Sequence, residues 1–232
     1  MSKYRPTDES LCYLSVNPVE QLNKYGVPLA GSRMFSFDHC YSYFRGAFEY
    51  NEQSELASKT HIQRSCLHLG FYLASWGMYR GSGELYRFSS AALSDVVSIV
   101  SGAPPAIWNL DVEGYSADSI SELLAYAEKL RRAFPSSSVK PRFRASDTLV
   151  TKTLLGVFGN TPAFDSYFKK GMGFTRFDEK SLNCVRRYQE RYRDIVEGAR
   201  VSVRGFDGAP NKFRYTQAKV IDMIFFARGG GI

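Results

Sequence analysis

Residues 146–171 read SDTLVTKTLLGVFGNTPAFDSYFKKG, and this stretch decides the predicted fold. Its first half is an apolar run that begins at a serine, which predicts a helix over about 147–158 that ends at Gly159. A second helix is predicted to begin at the Thr161-Pro162 pair, because proline at the first helical position after a threonine cap is a strong start signal. Asp165 would then lie in the first turn of that helix, where the helix dipole favours its ionised form.

The order of residue types in this stretch resembles the catalytic segment of the helix-hairpin-helix (HhH-GPD) DNA glycosylases. The matching residues are Val157-Phe158-Gly159-Asn160-Thr161-Pro162-Ala163-Phe164-Asp165-Ser166-Tyr167-Phe168-Lys169-Lys170. The resemblance implies that Asp165 stabilises the cationic sugar that develops as the base departs, and that the following helix lies behind the flipped nucleotide. The alternative is that Asp165 only complements the helix dipole.

The hairpin of that family contains a Leu-Pro-Gly-x-Gly turn that this chain lacks. In the corresponding place stands Arg142-Phe143-Arg144-Ala145-Ser146-Asp147, with no glycine. Glycine lets backbone N–H groups approach a phosphate closely. Phosphate binding would therefore rely on Arg142, Arg144 and the helix start at Ser146, and we expect a degenerate helix-hairpin-helix element.

Lys152 is the second catalytic candidate, because bifunctional members of the family use a lysine on the helix after the hairpin as a Schiff-base nucleophile. Lys152 precedes Asp165 by 13 positions, several fewer than the family pattern requires. It also falls near the middle of the predicted helix, where a lysine can extend along the surface with its ammonium group in water. We therefore predict a monofunctional enzyme that activates water, with lysine chemistry at Lys152 as the alternative.

The charge of the chain predicts a polyanionic partner, which we expect to be double-stranded DNA. There are 30 Lys and Arg residues against 23 Asp and Glu residues, a net charge of +7, and such a balance favours nucleic acid. The arginines over 186–193 are interpreted as a solvated helix face, because neighbouring acidic residues neutralise much of their charge. The predicted DNA-binding residues, which bracket Asp165 in sequence, are Lys140, Arg142, Arg144, Ser146, Lys169 and Lys170.

A glycosylase swings its target base out of the duplex and holds it by stacking and by hydrogen bonds. Aromatic and polar side chains from several segments could form such a base pocket. The candidates are Phe37, Asp38, Tyr41, Trp76, Trp108 and Phe164. For each of them, a purely structural role in the core remains open.

The cysteines are scattered, with no Cys-x-x-Cys pair and no close histidine: Cys12, Cys40, Cys66 and Cys184. This spacing argues against a zinc site, a disulfide framework and an iron–sulfur cluster. Glycosidic cleavage itself needs a well-placed anion rather than a metal, so we expect no metal and no cofactor. We also expect a reduced, cytoplasmic protein without a signal peptide or membrane span, since no apolar run approaches about 18 residues.

The apolar periodicity predicts an all-α fold with two helical lobes flanking a cleft. Helices are expected at about 52–78, 90–101, 116–133, 147–158, 178–197 and 212–227. Residues 199–204 alternate like a strand, but one short run does not make a sheet. We expect one glycosylase-like domain over residues 1–232, with its lobes at 1–135 and 136–232, and a monomer.

Together these features predict a monofunctional DNA glycosylase that excises a modified or damaged base and leaves an abasic site. Both repair enzymes and bacterial defence glycosylases that attack phage DNA fit this description. The aromatic content, 15 Tyr and 17 Phe, favours a pocket for a bulky modified pyrimidine of phage DNA and hence an antiviral role. The alternative is a non-catalytic helical nucleic-acid-binding or regulatory protein in which Asp165 is a helix cap.

Overall fold

A computed structural model describes residues 13–26, 31–81, 83–135 and 144–232. Within these ranges the chain is mostly helical with one small sheet, so the all-α prediction is confirmed. The helices are α1 (Pro18–Tyr25), α2 (Phe35–Glu49), α3 (Ile62–Ser75), α4 (Ser94–Ser101), α5 (Pro105–Trp108), α6 (Ala117–Ala133), α7 (Asp147–Phe158), α8 (Ser166–Met172), α9 (Glu179–Arg191), α10 (Arg193–Gly198) and α11 (Gln217–Arg228). The strands are β1 (Ser202–Arg204) and β2 (Pro210–Arg214).

Side-chain caps fix the starts of α6 and α7. The Ser116 side chain accepts a hydrogen bond from the backbone N–H of Ser119, and the Ser146 side chain accepts one from that of Leu149. Helix α7 ends at Gly159, whose φ of 67° is the left-handed conformation that glycine adopts without steric cost. The helices predicted over 116–133 and 147–158 are therefore confirmed.

Other predicted helices are interrupted. A 3-10 turn, Gln53–Ala57, precedes α3 within the segment predicted as one helix over 52–78, and another, Ser90–Leu93, precedes α4. The helix predicted over 178–197 divides into α9 and α10 at Tyr192, whose φ of −119° and ψ of 29° lie outside the helical region. Apolar periodicity does not detect such breaks, because the buried face continues across them.

The expectation of no sheet is wrong. Strands β1 and β2 form an antiparallel pair with Ser202 opposite Arg214, so the helix predicted over 212–227 begins only at Gln217. The turn between the strands contains Gly208 at a φ of 80°, and the Asp207 carboxylate accepts a hydrogen bond from the N–H of Ala209. This turn joins β1 to β2 and lets the two strands pair. A single alternating run in the sequence does not reveal the second strand.

The predicted helix start at Thr161 and Pro162 is also wrong. Residues 160–164 are a buried, non-helical connection, and α8 begins after Asp165, which is its N-cap. The N–H of Ala163 donates to Asp222, and that of Phe164 donates to the Thr151 side chain. Asp222 and Thr151 therefore accept hydrogen bonds from the backbone N–H groups of this segment, so that these groups are satisfied without a helical turn.

Helices α7 and α11 form the centre of the protein, since residues 149–158 and 217–227 are all buried. Helices α1 and α8 pack on α11, while α2 and α3 pack on α7. A Cβ at Gly156 of α7 would lie 2.4 Å from Tyr72 Cε1 of α3, which shows how closely these two helices approach. The packing crosses the expected lobe boundary at residue 135, and the cleft and the hairpin element stay predictions. None of the helices in the described ranges is long and apolar enough to cross a membrane.

Candidate functional site

Lys152 and Asp165 form a buried ion pair where α7 faces the start of α8. Lys152 Nζ lies 2.9 Å from Asp165 Oδ2, and the two side chains are 5 % and 13 % exposed. Removing two charges from water is costly unless each is closely paired and hydrogen-bonded. Buried, partnered ionisable groups of this kind are candidates for functional sites. We call this pair and the Trp76 ring beside it the Lys152–Asp165 site.

The Asp165 carboxylate has two separate tasks. Its Oδ1 accepts hydrogen bonds from the backbone N–H groups of Tyr167 and Phe168, both at 3.0 Å, and so caps α8. Its Oδ2 contacts Lys152. Both the helix start and the lysine therefore fix the orientation of this carboxylate.

Lys152 is buried because neighbouring elements cover α7 on all sides over residues 149–158. Its Nζ lies 5.1 Å from the centroid of the Trp76 ring, and Arg33 Cζ lies 5.3 Å from the same ring. Trp76 Nε1 is buried and has no hydrogen-bond partner within the described residues. The expectation that Lys152 extends along the surface is wrong. Although it lies only 13 positions before Asp165 in the sequence, Lys152 contacts it directly.

Asp222 of α11 holds the backbone that leads to Asp165. Its Oδ1 accepts a hydrogen bond from the N–H of Ala163 at 3.0 Å, and its Oδ2 lies 3.2 Å from Lys219 Nζ. Burial raises the pKa of Asp222; the Lys219 charge opposes this rise and the Asp165 charge adds to it. Burial alone would lower the pKa of Lys219, but the charges of Tyr25 and Asp222 outweigh that effect and raise it.

Another buried carboxylate, Asp38 of α2, contacts the β-hairpin. It accepts hydrogen bonds from the N–H of Arg204 at 2.7 Å and from the hydroxyl of Tyr215 at 2.9 Å. Burial raises the pKa of Asp38, and these two hydrogen bonds offset the rise only in part. Asp38, predicted for the base pocket, is therefore placed as an anchor for the hairpin.

The residues predicted for a base pocket do not gather at one point. Trp76 lies beside Lys152, and the buried Phe164 directly precedes Asp165. Phe37 and Tyr41 stack on each other in the core, with ring centroids 5.4 Å apart. Trp108 is buried between the rings of Phe48 and Phe158. Of the predicted set, only Trp76 and Phe164 border the Lys152–Asp165 site.

The predicted DNA-binding residues have varied surroundings. Lys140 and Arg142 lie outside the described residues. Arg144 is exposed and forms an ion pair with Glu128. Ser146 caps α7 while its hydroxyl and its N–H both donate to the Glu84 carboxylate, which stands where a phosphate was expected. Lys169 and Lys170 lie in the last turn of α8, with Lys170 exposed.

Two cavities lie away from Asp165. One, of about 410 Å³, is lined in part by Arg45, Trp108, Lys212 and Arg214. The other, of about 340 Å³, is lined in part by Glu128, Arg131, Arg144 and Phe177. Tyr41 and Trp108, predicted for the base pocket, border the first cavity rather than the Lys152–Asp165 site.

Lys219 and Asp222 are not among the residues predicted for the site, although the sequence carries a signal for them. Between Ala218 and Ala227 the residues of α11 are apolar except for Lys219 and Asp222. A charged residue in so apolar a helix is expected to be buried and therefore paired. Among the residues that the structure describes, no group of three or more His, Cys, Asp or Glu side chains is arranged to hold a metal ion.

Comparison of the chain with protein-family models, with curated proteins and with solved structures finds no match.

Proposed function

We propose that this protein is a monofunctional DNA glycosylase and that the Lys152–Asp165 site is its catalytic centre. One observation carries the proposal: the Asp165 carboxylate is held between the first turn of α8 and Lys152, whose Nζ lies 5.1 Å from the centroid of the Trp76 ring. The sequence resemblance gives the same aspartate the central role. A fixed anion is what the cationic sugar requires as an N-glycosidic bond breaks, and an aromatic ring near the pair offers a surface on which a flipped base can stack.

In this proposal, the target nucleotide leaves the duplex and its base stacks against Trp76. As the N-glycosidic bond breaks, its electron pair leaves with the base and positive charge develops on the sugar. The Asp165 carboxylate stabilises that charge, and a water molecule adds to C1′ and loses a proton, while the departing base takes up one proton. The products are the free base and an abasic site. Lys152 holds Asp165 in place and balances its charge in the resting protein.

A second route is favoured by the 2.9 Å contact between Lys152 and Asp165. If Asp165 accepted a proton from the Lys152 ammonium, the neutral amine could attack C1′ in place of water as the base leaves. Breaking the C1′–O4′ bond, with a proton passing from the nitrogen to O4′, would then give a Schiff base. In the ion pair itself, the ammonium has no free electron pair. We therefore retain water as the nucleophile and treat the lysine route as the alternative.

The substrate is proposed as a modified or damaged base in double-stranded DNA. The aromatic content favours a bulky modified pyrimidine of phage DNA, but Phe37, Tyr41 and Trp108 lie in the core. The aromatic content is therefore only a weak argument for a bulky base. Lys169 and Lys170 are the described candidates for phosphate contacts, together with the predicted Lys140 and Arg142.

The rival proposal is a non-catalytic helical nucleic-acid-binding or regulatory protein. It is favoured by a specific observation, because Asp165 is indeed the N-cap of α8. Incubating the purified protein with unmodified, damaged and phage-type DNA, followed by alkali, separates the two proposals. The glycosylase should leave alkali-labile abasic sites in at least one of these DNAs without added metal, and the rival should leave none.

A further inference from the structure

The β-hairpin presents one of the most exposed aromatic side chains of the described residues at its tip. Phe206, in the turn between β1 and β2, is 95 % exposed. The turn is closed by hydrogen bonds from the N–H of Gly205 to Ala209 O at 2.7 Å and from the N–H of Gly208 to Gly205 O at 3.0 Å. A single exposed apolar residue is common, so the surroundings of Phe206 must decide whether it has a role.

The base of the hairpin is fixed to the protein. Asp38 accepts hydrogen bonds from the backbone of Arg204 and from the Tyr215 hydroxyl, and Asn211 Nδ2 donates to Ser42 Oγ at 2.9 Å. Val203 is fully buried. The hairpin therefore holds Phe206 at a defined position, where its ring lies 5.5 Å, centroid to centroid, from the His39 ring of α2 and stays exposed on its outer side.

The outward face of the hairpin is basic. Side chains alternate along β2, so that Lys212 and Arg214 are exposed while Asn211 and Phe213 are half-buried. Lys212 and Arg214 form no ion pair within the part of the chain that the structure describes. Asp207 is the one acidic residue between positions 201 and 215, and its carboxylate is bonded within the turn.

An exposed aromatic ring and a cavity lie next to this basic face. Lys212 Nζ lies 4.2 Å from the centroid of the exposed Tyr50 ring. Lys212 and Arg214 also border the cavity of about 410 Å³, on whose lining two further arginines and three carboxylates lie: Arg45, Arg200, Glu49, Asp111 and Glu113. Positive charges interleaved with exposed rings match nucleic acid, whose phosphates pair with the cations and whose bases stack on the rings.

We propose that the hairpin is a second DNA-binding element, in which Phe206 stacks on or between bases while Lys212 and Arg214 contact the phosphates on either side. This inference rests on the proposed function insofar as it takes DNA as the partner. An apolar side chain wedged between base steps is a general means of kinking or opening a duplex. An apolar protein partner would not require the two unpaired cations.

The test compares Phe206→Ala with Phe71→Ala, a control that removes an exposed aromatic ring from α3. Binding of the full chain to a short duplex containing 2-aminopurine is followed by anisotropy and by 2-aminopurine fluorescence at several salt concentrations. We expect Phe206→Ala to weaken binding about 5- to 100-fold and to abolish the fluorescence change, with the salt slope unaltered. Lys212→Ala and Arg214→Ala should each reduce the slope of log affinity against log salt by about 1.

Phe206 is exposed, so its replacement should leave the melting temperature unchanged and keep the variant testable. If Phe206→Ala binds like Phe71→Ala, the hairpin proposal is overturned, whether or not the wild type excises a base. If loss of Phe206 instead changes self-association and not DNA binding, the tip is a contact between protein copies and the proposal also fails. If the hairpin variants weaken binding while the wild type excises no base, the hairpin proposal stands and the proposed function fails.

Discussion

Lys152 Nζ and Asp165 Oδ2 lie 2.9 Å apart, although the two residues belong to different helices and both side chains are buried. The contact is possible because Gly159 ends α7 and residues 160–164 return along it: Phe164 is hydrogen-bonded to the side chains of Thr148 and Thr151, which brings the N-cap of α8 to the side of α7. A buried ion pair seldom adds net stability over a well-packed apolar pair. Because a pair that adds little stability is nevertheless kept in the centre of the fold, we propose that it takes part in catalysis.

The first prediction concerns the nucleophile. Borohydride should not trap a covalent protein–DNA adduct, because the Lys152 ammonium is held in its ion pair and water adds to the sugar instead. The measurement is a denaturing gel of protein incubated with cleavable DNA and borohydride. An adduct that forms with the wild type and disappears in Lys152→Ala would establish the lysine route and leave the glycosylase assignment intact.

A second prediction tests the packing that positions Asp165. A Cβ at Gly171 of α8 would lie 2.1 Å from the carbonyl oxygen of Phe225 in α11. Gly171→Ala should therefore push the two helices apart, lower the free energy of unfolding by about 1–3 kcal/mol and reduce excision. Gly198→Ala is the matched control, because its Cβ would meet no atom within 4 Å.

Denaturant titration measures both glycine variants. Gly198→Ala should be neutral or slightly stabilising, since alanine restricts the unfolded chain more than glycine does. Equal stability of the Gly171 and Gly198 variants would show that α8 is not held against α11 as described.

A third prediction concerns pH. Because burial raises the pKa of Asp38, the folded state binds this proton more tightly than the unfolded state. The protonated Asp38 carboxyl therefore contributes to the free energy of unfolding below the ordinary aspartate pKa, and this contribution is lost as pH rises through the raised pKa. Asp38→Asn cannot ionise, so its melting temperature relative to the wild type should increase between about pH 4 and pH 7. A difference that stays constant or shrinks over this range would contradict the assignment.

Much of the fold is predictable because local signals and tertiary packing agree. The serine caps of α6 and α7, the apolar periodicity and the left-handed Gly159 give the correct bounds for these helices. The start of α8 is not predictable locally. Asp222 lies 59 positions after Ala163, and its hydrogen bond helps to hold that segment outside a helix.

The candidate site is predictable for Asp165 but not for its partner. A helix with apolar residues on every face is buried on every face. In α7 the apolar residues Leu149, Val150, Leu154 and Leu155 surround Lys152, so its burial is consistent with the sequence. The spacing of 13 positions instead predicts that Lys152 is not a catalytic lysine acting together with Asp165. Spacing fails here because the chain reverses between the two helices, so that 13 positions along the sequence become one contact in space.

The most direct test of the central claim is single-turnover base excision by Asp165→Asn on a DNA that the wild type cleaves. Asparagine caps a helix about as well as aspartate, so the start of α8 is kept while the charge is lost. Asp178→Asn is the matched control, because Asp178 caps α9 and has no lysine partner within the described residues. Lys152→Gln combined with Asp165→Asn removes both charges and shows whether an unpaired Lys152 ammonium accounts for the effect.

We predict that Asp165→Asn lowers the excision rate at least about 100-fold while DNA affinity changes little, that the double variant is equally slow, and that Asp178→Asn cleaves like the wild type. Excision by Asp165→Asn at the wild-type rate would contradict the account and leave Asp165 as a helix cap alone.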